Sequence, residues 1–159
     1  MEQFIRVLTA YRVEMLVDIR RYPGSNRNPQ FNSDALMHEL SKHGIQYVWL
    51  EELGGRRKGL GEGSKNRCWT NRSFRNYADY METALFRQGI DELIQLSGRR
   101  TVAIMCAEGL YWRCHRSMVA DFLKSLDVQV THIFDEKKAQ LHDYTQCAKV
   151  IDGCLTYHN

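Results

Sequence analysis

The segment CAEGLYWRCHRS, residues 106–117, gathers two cysteines, a histidine, a carboxylate and two arginines between an apolar run and an apolar helical stripe. Its helix side opens with His115, Arg116 and Ser117, where unpaired backbone N–H groups and the positive end of the helix dipole favour an anion. Arg113 and Arg116 suit a phosphate because a planar guanidinium binds two oxygens at once. Cys106, beside that helix start and those arginines, would have a lowered pKa there, which makes it a nucleophile candidate. His115 and Glu108 are the proton-transfer candidates. The plainer alternatives are an inert core cysteine and arginines paired internally with Asp18, Glu108 or Asp121. Cys106, Glu108, Cys114 and His115 are also metal-ligand types, with His132 and His142 as further donors. There is no CxxC pair, however, and adjacent Cys114 and His115 are expected to point apart, so no residue is assigned to a metal.

Two other segments carry charge of the same kind. RRYPGSNRNPQF holds Arg20, Arg21, Ser25 and Asn28 among Tyr22 and Phe31, a mixture suited to phosphate contacts and base stacking or to a plain packed loop. GGRRKG brings Arg56 and Arg57 in a glycine-rich loop without the GK[ST] of a Walker loop.

These groups need a scaffold that brings them together. MLVDIR (15–20), IQYVWL (45–50), TVAIMC (101–106) and VQVTHIF (128–134) read as strands, the first running into Asp18, Arg20 and Arg21. Helical spacing is seen over 2–12, over 34–43 and from Phe74 through Ile94, and again from Met118 to Leu126. Alternating strands and helices predict an α/β fold, a three-layer sandwich with a mainly parallel sheet and helices on both faces. Ligands in such sheets sit at the carboxyl ends of the strands, where Asp18, Arg20, Arg56, Cys106 and Glu108 fall. The Gly-rich stretch 54–67 is longer than an ordinary connection of about 4–6 residues and is expected to be functional or mobile.

At 159 residues the chain is expected to form one domain, 1–159, with a C-terminal extension over 135–159. Lys plus Arg is 22 and Asp plus Glu 19, a net charge of +3, which excludes a histone-like electrostatic binder. No apolar run is long enough to span a membrane, and the first residues lack the core of a secretion signal. Five cysteines without framework spacing predict reduced thiols and a cytoplasmic location.

LVDIRRYPGSNRNPQFN, LEELGGRR, SFRNYADYMET, TVAIMCAEGLYWRCHRSMVADFL and VTHI with the later His142 together resemble the domain-of-unknown-function 488 family, over roughly residues 2–158. The resemblance implies an identity more than an activity. It also implies that a strand with a TIGHS-like motif, usual before the first helix in that family, is absent from this chain. A more distant likeness links the strand ending in Asp18 and the Cys106 loop to rhodanese and cysteine-phosphatase domains. The loop from Cys106 to Arg113 or Arg116 does not match theirs in length, and Met105 stands where the phosphatases have histidine, so no catalytic role is carried over.

The resulting expectation is an Arg-rich rim that binds a phosphate-bearing ligand, a nucleotide or nucleic acid, as a cysteine-dependent enzyme. The alternatives are a non-catalytic nucleic-acid-binding accessory module and a metal-binding domain using Cys, His and Glu. No cofactor is assigned, no membrane partner is expected and the oligomeric state is left open.

Overall fold

The computed structural model describes residues 1–159. Its centre is β1 (Met15–Asp18), buried along its whole length. β2 (Gln46–Trp49) pairs with β1 on one side and β3 (Val102–Met105) on the other, both parallel, in the order β2-β1-β3. Side chains alternate across a strand, so β1 feeds two cores. Met15, Val17 and Ile19 belong to the larger core with Tyr77, Phe86, Ile90 and Met118. Leu16 joins Ile5, Leu8, Leu36 and Leu40 in the smaller one.

The smaller core is closed by α1 (Glu2–Ala10) and α2 (Ser33–Ser41). Ile5 and Leu8, three apart, form the buried face of α1. Asn32 precedes α2 but does not cap it; its Oδ1 instead accepts the Ser25 N–H at 2.5 Å and ties down the loop before it. The larger core is closed by α3 (Arg72–Met81), α4 (Ala84–Ser97) and α5 (Arg116–Ser125). The apolar spacing from Phe74 to Ile94 suggests one continuous helix, but two form. Thr83 stops the first and caps the second, accepting the Phe86 N–H at 3.3 Å. Asn71 caps α3 through the N–H groups of Ser73 and Phe74.

The fourth predicted strand does not join the sheet. Of residues 128–134 only β4 (Thr131–Ile133) is extended, and it pairs antiparallel with β5 (Ala139–Leu141). The cause is local: Asp135 accepts the N–H groups of Lys137 and Lys138, both at 2.7 Å, and closes a tight hairpin. A second hairpin, β6 (Lys149–Ile151) and β7 (Cys154–Thr156), turns through Asp152 and Gly153, both with positive φ. The fold is therefore a mixture of helices and strands around a three-stranded parallel sheet, with two small antiparallel hairpins, and β3 is an edge strand.

The glycine-rich loop is pinned down. Asp79 of α3 accepts hydrogen bonds from Leu60 N, Ser64 Oγ and Asn66 Nδ2, and Trp69 enters the core. The expectation of five free thiols is also corrected, because Cys68 and Cys147 form a disulfide across 79 residues of sequence. Spacing alone could not find this bond, since its partners meet only when the 135–159 segment packs against the loop. No helix is long and apolar enough to cross a membrane.

Candidate functional site

The free edge of β3 borders a cleft of about 870 Å³. One end is apolar, walled by Phe4, Val7 and Leu8 of α1. The other lies at the carboxyl ends of β1 and β3 and is lined by Arg20, Ser25, Asn28, Cys106, Glu108 and Arg116. Of the residues expected at the site these six line the cleft, whereas Asp18, Arg21, Arg56, Arg113, His115 and Ser117 do not. Tyr111, His132 and Phe134 form the adjoining wall. Tyr111 stacks on His132 and meets Trp112 edge-on, so exposed aromatic surface stands beside the polar end.

The arginines do not present one pool of free charge. Asp18, fully buried, accepts from Arg20 N at 3.0 Å, from Arg20 Nη2 at 2.5 Å and from the Tyr47 hydroxyl at 2.7 Å. Burial alone would lower the Arg20 pKa, but the Asp18 carboxylate raises it. Burial, with the Asp18 carboxylate beside its hydroxyl, pushes Tyr47 up. Arg21 pairs with Glu51, and Arg57 donates to the Gly54 carbonyl and lies over the Tyr80 ring. Arg56 and Arg113 are exposed, and their guanidinium groups make no hydrogen bond or ion pair. Arg116 begins α5 and donates to the carbonyls of Glu108 and Gly109, while its Nε is buried without a partner. The internal pairing weighed for Arg113 and Arg116 thus falls to other residues: Arg20 takes Asp18, and His142 takes Asp121. Glu108 is exposed, and its carboxylate accepts only the Leu110 N–H at 3.4 Å. Ser117 turns away from the cleft; its hydroxyl donates to the Cys114 carbonyl at 2.9 Å.

Cys106, Cys114 and His115 form one cluster, their ligating atoms all within 4.8 Å of one another. The expectation that adjacent Cys114 and His115 diverge is wrong. Cys114 is extended (φ −129°, ψ 148°) and His115 helical (φ −57°, ψ −13°), and that change of backbone conformation swings both side chains to the same side. His115 Nε2 lies 2.9 Å from the Ile19 carbonyl, so this nitrogen carries the proton. Its Nδ1 lone pair then faces Cys114 Sγ at 3.6 Å and Cys106 Sγ at 3.9 Å. The ring packs on Tyr77 at 4.9 Å, and Gly55 leaves room for it: a Cβ there would stand 3.0 Å from Nδ1.

The two thiols share one proton unequally. Hydrogen bonding to Cys114, and then burial, push Cys106 up to about 12. The same hydrogen bond, aided by the Arg116 N–H on Cys114 Sγ at 3.4 Å, brings Cys114 down to about 6 against the effect of burial. The lowered pKa expected of Cys106 therefore belongs to Cys114, whereas Cys106 is the sulfur that lines the cleft.

One network escaped the sequence reading. Asp121, fully buried in α5, accepts from His142 Nε2 at 2.8 Å, Thr145 N at 2.9 Å and the Tyr157 hydroxyl at 2.8 Å. His142 Nδ1 in turn lies 2.8 Å from His132 Nε2, so the chain Asp121–His142–His132 ends at the cleft wall. Burial, then the neighbouring His142 and Arg116, bring His132 down to about 4, which leaves it neutral near pH 7. Nothing in the spacing of 121, 132 and 142 signals this contact.

The family model described as Domain of unknown function DUF488 matches residues 1–123, stopping short of the C-terminal hairpins. Neither the curated proteins nor the solved structures show a significant match.

Proposed function

The chain belongs to the DUF488 family, and from that premise we propose that it is a cysteine-dependent enzyme for a phosphate-bearing ligand, a nucleotide or nucleic acid, held in the cleft beside β3. The observation that carries this reading is the meeting of Arg116, Glu108 and Cys106 from the 106–117 segment with Arg20, Ser25 and Asn28 from the 20–31 loop at one end of one cleft. On this reading the helices stand on both faces of the sheet in a three-layer arrangement, and the carboxyl end of the sheet is left for the ligand.

Arg20 and Arg21 are neutralised by Asp18 and Glu51, so the anion falls to Arg116 and to the unpaired Arg113. The unpartnered Nε of Arg116 is a donor that an anion would satisfy. Tyr111, Trp112 and Phe134 offer a base the aromatic faces on which it stacks. Cys114 supplies thiolate, His115 takes or returns the proton, Cys106 faces the ligand and Glu108 is the exposed acid–base group.

Calorimetric titration with inorganic phosphate, mononucleotides and a short oligonucleotide at low salt tests the reading. Saturable binding that weakens with added salt and with Arg116→Ala supports it. Binding kept but turnover lost in Cys106→Ser supports the enzyme, whereas binding without any turnover in the wild type leaves a non-catalytic binding module. No binding at low salt defeats the reading.

A further inference from the structure

We propose that Cys106, Cys114 and His115 form a three-ligand site for a zinc-class divalent ion, with its fourth position open to the cleft. This rests on the preceding reading for what the open position meets, and changes how the cysteines serve it, as ligands of a metal rather than as a free nucleophile.

Three independent features of the geometry point the same way. The first is distance. Zinc binds thiolate sulfur at about 2.3 Å and imidazole nitrogen at about 2.0–2.1 Å, so at tetrahedral angles a sulfur and a nitrogen ligand stand about 3.6 Å apart. Nδ1 of His115 lies 3.6 Å from Cys114 Sγ and 3.9 Å from Cys106 Sγ. These separations match two edges of a coordination tetrahedron.

The second is orientation. A ligating histidine usually donates its other ring N–H to a carbonyl or carboxylate, which fixes the tautomer. His115 does so to the Ile19 carbonyl at 2.9 Å, and that leaves the Nδ1 lone pair aimed at the sulfurs. The Arg116 N–H, 3.4 Å from Cys114 Sγ, gives a coordinated thiolate its supporting donor.

The third is access. Cys114 is 4 % exposed, which suits a ligand and hinders a nucleophile that has to meet a substrate. Cys106 lines the cleft, so the unfilled side of the cluster opens toward Glu108 and Arg116. Two thiolates and one imidazole favour zinc over magnesium or calcium, which take oxygen ligands. Three protein ligands with a free fourth position is the pattern of a catalytic rather than a structural zinc. An ion so placed would polarise a phosphate oxygen or a water in the cleft.

Full-chain protein purified without chelator would be assayed for metal by elemental analysis and then titrated with cobalt(II). The expected result is stoichiometric zinc, and with cobalt a thiolate charge-transfer band in the near ultraviolet with ligand-field bands of tetrahedral intensity. Cys114→Ser should abolish both, and Cys154→Ser, an exposed thiol outside the cluster, should keep them. If Cys114→Ser does not fold, Cys106→Ser should weaken cobalt binding at least tenfold. Protein that stays metal-free after incubation with zinc, a cobalt spectrum unchanged by these substitutions, or oxidation of the pair to a Cys106–Cys114 disulfide in the presence of zinc overturns the site. Phosphate and nucleotide titrations separate the two proposals. Zinc bound without phosphate or nucleotide binding upholds the metal site and removes the functional reading. Phosphate binding by a metal-free chain does the reverse.

Discussion

Replacement of His132 by glutamine should remove a pH dependence of stability that the wild type shows between pH 6.5 and 4. The folded imidazole titrates near 4, against an ordinary 6.5 in the unfolded chain. Within that window the unfolded state binds the extra proton, so stability is full above pH 6.5 and is lost as the pH falls toward 4. Integrating the linkage between those two values gives a loss of about 2 kcal/mol at pH 5 and about 3 kcal/mol at pH 4. Glutamine keeps an amide donor for His142 Nδ1 but does not titrate. Urea unfolding of both proteins at several pH values between 7 and 4 isolates the term, because the carboxylates they share cancel in the difference. Two stability curves that stay parallel to within about 0.5 kcal/mol would refute the burial of a neutral His132 beside His142 and Arg116.

Asp18→Asn should cost about 3–5 kcal/mol, measured by urea unfolding, because it strands the buried Arg20 guanidinium. Reducing the Cys68–Cys147 bond, which closes a loop spanning 79 residues, should cost about 4.5 kcal/mol by the chain-entropy argument, read as a drop in the urea midpoint with reductant. Gly54→Ala should destabilise by about 1–3 kcal/mol, since its Cβ would stand 2.8 Å from the Arg21 Cα and backbone cannot yield as a side chain can; unchanged thermal unfolding would contradict the packing.

The parts of the fold written in local pattern were legible. The runs at 15–20, 45–50 and 101–106 are the three strands, and β1, central and covered on both sides, is apolar until its last residue. The parts set by competition were not. Residues 128–134 have strand-forming side chains, but the Asp135 turn supplied a nearer partner than the edge of β3. For the site, spacing pointed to Arg20, Ser25, Asn28, Cys106, Glu108 and Arg116, which line the cleft, but also to Arg21, Arg56 and Arg113, which do not, and it could not say which carboxylate each arginine would find. Arg20 folds back on Asp18 two residues away, a pairing sequence separation favours but residue type does not reveal. The Cys106–Cys114–His115 cluster depended on one change of backbone conformation, from extended to helical between neighbours, and the Asp121–His142–His132 chain on how the C-terminal hairpins dock. Such contacts between distant segments leave no periodicity to read.

A cysteine-dependent enzyme of this kind needs the cleft-lining sulfur and a phosphate-bearing ligand to share one space. Alkylation of Cys106, followed by peptide mass spectrometry with and without a saturating mononucleotide, measures this directly. Protection of Cys106 while the exposed Cys154 reacts at an unchanged rate is the predicted result. Equal alkylation of Cys106 at every nucleotide concentration would contradict it.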